Sequence, residues 1–493
     1  MHTFADPLNR AVQIAANKTA VIDGSDSYTF SQLAERCARL AGGLAALGLN
    51  KGDRVAIWSD NNHEYIETYV GGPAGGFVVV PLNTRHAEPE LRYALEDSAT
   101  NVLITDRDAS GMSDICDHII QIGPEYEALL EAEPAKLGVD LTEDDLAGLF
   151  YTGGTTGQSK GVMLSHRNLI ANTFHWLTSV PQNSKDVMLV MAPLFHAAGS
   201  NGVLGSIWTA GTQITLGAFD PEAALDIIQA ENVSLTLGVP AMLAAMAESQ
   251  HANPRNVDAI RAIAHGGSPI ATEVVRRTST AFPGAELIEV YGATELSPLT
   301  TALRDEQLLL DDDRARSCGQ SIPGTDVRIL NPEGVEVPKG EIGEVVVRGP
   351  NVMVGYWNKP EQTASVLIDG AYWTGDLGYM DDDGYVFLVD RSKDMIVSGG
   401  ENVYCTEVEE ILYKHEAVLE AAVYGIPDER WGEAVHATVV PRAEHSNVDP
   451  ETLIEFCKAH IAGYKVPKGI AIRQDPLPKS GPGKVLKREL RAP

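Results

Sequence analysis

GLFYTGGTTGQSKG, residues 148–161, decides how the rest of the chain is read. The apolar run Leu146 to Tyr151 ends abruptly in small, hydroxylated and glycine residues, then one cation, Lys160. A strand feeding such a loop can wrap backbone N–H groups around a phosphate. Gly153, Gly154 and Gly157 allow tight turns, and Thr152, Thr155 and Thr156 add hydroxyl donors. Lys160 adds a point charge. The Walker A order is excluded, because Ser159 precedes Lys160 and Gly161 follows it.

Upstream, helix-like and strand-like pieces alternate. Phe30 to Leu47 predicts an amphipathic helix, with Thr29 and Gln32 at capping-box spacing and Gly48 as its stop. Arg54 to Trp58, Gly76 to Val80 and Asn101 to Thr105 read as buried strands, with helices over His63 to Val70 and Glu88 to Asp97. Downstream the pattern repeats. Strands are expected at Asp186 to Ala192, Thr212 to Leu216, Leu235 to Val239, Ala262 to His265 and Leu287 to Tyr291. Helices are expected at Asn201 to Ala210 and Pro221 to Glu231. This βαβα order predicts an α/β fold of doubly wound, mostly parallel sheets, with ligands at the carboxyl ends of strands.

From about Asp326 the texture changes to short strands and turns, with Asp383-Gly384 as a hairpin signal. A small β-barrel-like subdomain is expected over about 326–390. After the polar break at 390–394 come a helix (Glu407 to His415), strands (Ala421 to Tyr424, Ala434 to Val440) and a helix (Pro450 to His460). The expected division is a large domain, 1–390, and a small mobile α+β domain, 391–493.

The 493 residues carry a net charge of −30, which argues against nucleic acid and anionic membrane surfaces as partners. The balance reverses locally between Gly463 and Arg491, where eight Lys or Arg face only Asp475 and Glu489. The five cysteines are scattered without metal-ligand or redox spacing, so a reducing compartment is expected. No signal peptide and no run of about 18 apolar residues is seen, and a cytoplasmic protein is expected.

Further stretches hold candidate chemistry. PLFH at 193–196 is a bend carrying an aromatic and an imidazole, His196. HGGSP at 265–269 is a strand-end loop that lets a flat ring lie against bare backbone. YGATE at 291–295 places Glu295 beside the Thr294 hydroxyl, where the two can hold Mg²⁺ near phosphate oxygens. In YWTGD at 372–376 the Asp376 carboxylate can accept a sugar diol, and Arg391 supplies donors of fixed geometry. PKSGPGK at 478–484 presents one lysine, Lys484, on a loop stiffened by proline.

With these motifs in this order the chain resembles the adenylate-forming superfamily of acyl-CoA synthetases, luciferases and peptide-synthetase adenylation domains. The resemblance runs nearly end to end, from TFSQLAERCARLAGGLAALGLNKGDRVAI to GPGKVLKREL. It is nearest to the AMP-forming acyl-CoA synthetases, through LFYTGGTTGQSKGVMLSHRN, PLFHAAG, YGATE, YWTGDLG and DRSKDMIVSGGENVYCTEVE. It implies an acid–CoA ligase that uses ATP, Mg²⁺ and CoA. By the same resemblance, Thr152 to Lys160 would close over the β- and γ-phosphates, and Gly266, Gly267 and Ser268 would line the adenine and acyl pocket. Tyr291 and Gly292 would lie beneath the adenine, Thr294 would touch the α-phosphate and Glu295 would bind Mg²⁺. Asp376 and Arg391 would hold the ribose, Lys393 would be the hinge, and Lys484 would swing in for adenylation. Ser398, Gly399 and Gly400 would line the CoA tunnel.

Three positions depart from the family pattern: Gly153 where Ser is usual, Ser159 where Pro is usual, and Cys405 where Pro is common. The acid pocket would draw on His175, Trp176, His196, Gly199, Val203, Val239, His265, Gly266 and Leu296, types that suit a fatty, cyclic or aromatic acid. His196, Ala197 and Ala198 offer no carboxylate for an α-amine, so amino acids are disfavoured. A carrier-protein acceptor, a light-emitting variant and a silent nucleotide sensor stay open as alternatives. A homodimer is the expected assembly where there is one.

Overall fold

The computed structural model describes residues 2–152, 159–268, 270–391, 394–398, 401–428, 431–479 and 485–491. The chain divides into two compact units, Met1–Val327 with Val347–Tyr372, and Arg328–Val346 with Trp373–Pro493.

The first unit is built on two sheets. Six strands of the nine-stranded sheet run parallel, in the order Glu286–Tyr291, Ala262–Gly266, Leu235–Gly238, Val187–Val190, Thr212–Thr215, Thr19–Asp23. Their side chains alternate between two cores. Ile263 and Leu287 pack with Leu225 and Phe282 on one face. Ala264, Ile288 and Val290 pack with Trp176 on the other. Burial on both faces is what makes these strands continuous apolar runs. The helix Pro221–Glu231 between them starts where expected: Asp220 caps it by accepting from Ala223 N, and Pro221 opens its first turn. Phe30–Ala46 carries the full capping box of Thr29 and Gln32.

The helix after the PLFH bend is longer than expected and begins at Ala197. Gly199 allows this, since a Cβ there would lie 2.1 Å from the Pro193 carbonyl oxygen. A larger residue would push the helix start off the bend.

In the seven-stranded sheet the strand Leu146–Thr152 is followed by a second strand, Lys160–Ser165, paired antiparallel with Thr152 opposite Lys160. The glycine-threonine loop therefore joins two strands, and the next helix, His166–Ser179, starts only after the second. Val162 and Leu164 are fully buried, which explains why this lysine-led stretch extends instead of staying in the loop. No helix N-terminus directly follows the loop, so the cation that flanks it is Lys160, at the head of a strand.

In the second unit, Ala371–Met380 and Val386–Arg391 pair antiparallel across the Asp383-Gly384 turn, where Gly384 takes φ +85°. Farther along, a five-stranded sheet centred on Gly432–Pro441 pairs over ten positions with Val418–Asp428. The helices Cys405–Tyr413 and Pro450–His460 cover it through Val408, Leu412, Leu453 and Cys457. All five cysteines are free and buried. Among the described residues no helix is long and apolar enough to cross a membrane.

Candidate active site

In the first unit, four expected site segments lie at the carboxyl ends of strands or at the loop end of the hairpin formed by Leu146–Thr152 and Lys160–Ser165. Gly266 ends its strand against the neighbouring one, where a Cβ would stand 2.2 Å from the Val290 carbonyl oxygen. Gly267 follows with φ +84°, and Ser268 is partly exposed. Tyr291 ends the next strand. Gly292 then passes so close to the Pro298 carbonyl that a Cβ would lie 1.6 Å from its oxygen. Bare backbone is thus enforced at both strand ends.

The turn Thr294–Leu296 is latched from behind. Asn351 is fully buried and donates to the Leu296 and Leu299 carbonyls at 2.9 Å each. Ser297 Oγ donates to the Asn351 carbonyl at 2.7 Å, Leu299 N donates to Asn172 Oδ1 at 2.8 Å, and Met353 N donates to the Glu295 carbonyl at 2.8 Å. Glu295 itself faces Tyr356, whose hydroxyl donates to Oε1 at 2.8 Å. Tyr356 lies in the short strand Gly355–Tyr356, in register with Val162, and Lys160 Nζ stands 4.6 Å from its ring centroid. Burial first, and then the Glu295 carboxylate, push the Tyr356 phenol well up, so it stays a neutral donor. Lys160, Tyr356 and Glu295 form one chain of contacts. Tyr356 belongs to no motif, and sequence reasoning does not single it out.

The expected acid pocket is only partly assembled. His196 precedes the helix Ala197–Thr209, packs against Phe195 with 4.5 Å between ring centroids and the rings tilted by 55°, and lines a cavity of about 20 Å³ with Tyr151 and His86. Val203, Leu296 and Trp176 are fully buried in packed protein. Val239 is partly exposed, and its Cγ1 is the atom nearest to where a Cβ on Gly267 would stand, at 3.9 Å. His265 does not open onto a pocket, because its imidazole is fully buried and turned to Glu306. His175 is likewise buried, which pulls its pKa down to about 4.

In the second unit, Asp376 is nearly buried and stands in register with Arg391. Gly375 turns the chain there with φ +73°, its N–H donating to Glu344 at 2.8 Å. Ser398 is buried, in register with Glu401. Gly153, Gly154, Thr155, Thr156, Gly157, Lys393, Gly399, Gly400, Lys484 and the Arg391 side chain lie outside the described residues. The flanks of Lys484 are described. Lys479 bridges Val485, Leu486 N donates to the Pro478 carbonyl at 2.8 Å, and Lys487 pairs with Glu409 at 2.9 Å. Burial opposes the Lys487 charge, but Glu409 outweighs it and holds its pKa up. Glu409→Ala should strand that ammonium and destabilise this unit by about 3 kcal/mol, read as a lower melting temperature.

In the first unit, bare backbone enforced by glycine at two strand ends and a carboxylate-phenol-lysine chain suit a nucleotide and its phosphates, and the class is that of an adenylate-forming enzyme. Family models match accordingly: AMP-binding enzyme over residues 8–357 and the AMP-binding enzyme C-terminal domain over 407–484. A feruloyl-CoA synthase from Amycolatopsis sp. is 41% identical over 488 residues, covering 98% of this chain and 97% of that one. A long-chain-fatty-acid–CoA ligase from Bacillus subtilis is 34% identical, covering 96% and 91%. ATP-bound MatB from Rhodopseudomonas palustris superposes with TM-score 0.91 at 31% identity, over 99% of this chain and 98% of that one. The chain belongs to the AMP-binding enzyme family, and within it is an AMP-forming acid–CoA ligase.

Proposed function

We propose that the acid activated is aromatic, of the phenylpropenoic type, and that the residues above divide the two half-reactions between them. The observation that carries the aromatic reading is the end-to-end 41% identity with the feruloyl-CoA synthase, against 34% with the fatty-acid ligase.

In the first half-reaction a carboxylate oxygen attacks the α-phosphorus of ATP, and the bond to pyrophosphate breaks. An acyl-adenylate results, with AMP as its leaving group. The barrier is the approach of one anion to another, so positioning and positive charge dominate. Lys160 and the hydroxyls of Thr152, Thr155 and Thr156 hold the outer phosphates, with Gly153, Gly154 and Gly157 supplying backbone N–H groups. Gly266, Gly267, Ser268, Tyr291 and Gly292 accept the adenine, Asp376 and Arg391 the ribose, and Lys484 the transferring charge.

Thr294 and Glu295 offer an all-oxygen donor set that suits Mg²⁺, whose charge would offset that of the phosphates. Tyr356, bonded to Glu295, fixes the direction of that carboxylate.

In the second half-reaction the CoA sulfur attacks the acyl carbonyl, AMP departs and the thiol proton goes to water. One lysine cannot serve both steps from one place. The small domain therefore turns about Lys393 and presents Ser398, Gly399 and Gly400 to the pantetheine. The reading includes a cytoplasmic location, in keeping with five free cysteines, and a homodimer.

The test is incubation with ATP, Mg²⁺, CoA and a panel holding ferulate, benzoate and fatty acids, read by mass spectrometry. Feruloyl-CoA with stoichiometric AMP is the expected product. A fatty acyl-CoA alone would overturn the aromatic reading, AMP without any thioester would point to a carrier-protein acceptor, and ADP would overturn the adenylation chemistry.

A further inference from the structure

His265 and Glu306 form an enclosed ion pair, Nε2 to Oε2 at 2.6 Å, with side-chain exposures of 0% and 1%. His265 is the residue before Gly266-Gly267-Ser268, and Glu306 opens the turn Glu306–Leu308. That turn is tied to the strand Glu286–Tyr291 by further contacts. Arg304 grips Glu286 through two bonds of 2.7 and 2.9 Å, Leu287 N donates to Gln307 Oε1 at 2.8 Å, and Leu303 stands in register with Glu289.

Burying a charged pair this fully costs desolvation that an apolar pair of equal size would not, so stability alone is a poor reason for it. The pair hangs on one contact, since among the described residues His265 Nδ1 and Glu306 Oε1 have no hydrogen-bond partner. The imidazole therefore takes its orientation from Glu306. Glu289, in register with His265, adds a second carboxyl on the same face. Burial pushes that carboxyl up; His265 opposes the shift and Glu306 adds to it. The strand end beyond His265 has little freedom of its own, because Gly266 lies against the Val290 carbonyl of the strand that leads to Tyr291 and Gly292. A shift at His265 would be passed to both glycine-bearing ends.

We propose that Glu306 is a positioning residue: through the His265 imidazole it sets the strand end from which Gly266, Gly267 and Ser268 meet the nucleotide. The proposal rests on the nucleotide-binding role given to those three residues above.

The test is calorimetric titration of AMP into the full chain and three variants. Glu306→Ala removes the imidazole's partner and should weaken AMP binding about 10-fold or more. Glu306→Gln keeps a hydrogen-bonding oxygen at the same reach and should stay within about 3-fold of the parent. Val275→Ala, a buried position in the same core, should lower the melting temperature and leave AMP affinity unchanged. Should Glu306→Ala not fold, Glu306→Asp carries the same test, with the charge kept, the reach shortened and AMP binding about 3- to 10-fold weaker.

Parent-like affinity in Glu306→Ala, or in Glu306→Asp where that variant stands in, would overturn the proposal. So would equal weakening by Val275→Ala, which would mark the effect as general destabilisation. Failure of the parent chain to bind AMP would overturn the nucleotide-site reading itself.

Discussion

Replacing Lys484 with alanine should slow acyl-adenylate formation at least about 100-fold, the loss seen when a donor to a developing transition-state charge is removed. Thioester formation from a supplied acyl-adenylate and CoA should be nearly unchanged, because phosphoryl charge is no longer being redistributed in that step. The substitution should not unravel the loop. Its ends are closed by the Lys479–Val485 bridge and the Leu486 N to Pro478 carbonyl bond, and the Lys487–Glu409 pair anchors the chain just beyond. The two half-reactions are measured separately, by pyrophosphate release with acid and ATP, and by consumption of the synthetic adenylate. Equal loss in both would remove Lys484 from the adenylation step.

Gly292→Ala should weaken AMP binding at least about 30-fold, on the order of 2 kcal/mol, as overpacking at a fixed contact does. The added Cβ would stand 1.6 Å from the Pro298 carbonyl oxygen and 2.7 Å from its carbon, both backbone atoms. The Pro298 side cannot yield easily, because Asn172, Asn351 and Ser297 hold the residues around it by hydrogen bonds. Strain therefore falls on the Tyr291-Gly292 backbone, where the adenine is proposed to lie. Gly72→Ala is the matched control. That glycine has open space at its Cβ within a helix, and the change should be neutral or slightly stabilising. AMP affinity within about 3-fold of the parent in Gly292→Ala would sink the assignment.

Local rules make much of the architecture legible in the sequence. Pro221–Glu231 and Pro450–His460 begin and end as read, because an aspartate cap and a first-turn proline announce each start. The parallel strands were legible as short, doubly buried apolar runs. Lys160–Ser165 was not, because a strand led by lysine and glycine is indistinguishable from loop until Leu146–Thr152 pairs with it. The strand expected at Ala421 to Tyr424 extends to Val418–Asp428 for the same reason, its polar ends being held by a long partner.

At the site, motif residues could be named from sequence, but their partners could not. Tyr356 sits 61 residues from Glu295. Glu306 lies in an acidic stretch where it looks like any solvated charge, and only a histidine 41 residues away gives it a role. The orientation of His265 depends on that unseen partner, which is why a pocket-lining imidazole was expected and a paired one is found.

The burial of every cysteine makes the natural chain a quiet background for thiol-directed reagents. Burial lifts the thiols of Cys116 and Cys457 to about 11, so little reactive thiolate forms at neutral pH. A single cysteine placed at Val354 in the first unit and another at Leu419 in the second, each 50% exposed, would take up dyes without prior removal of the native thiols. A donor–acceptor pair at those two points turns the distance between the units into an optical signal, readable during turnover.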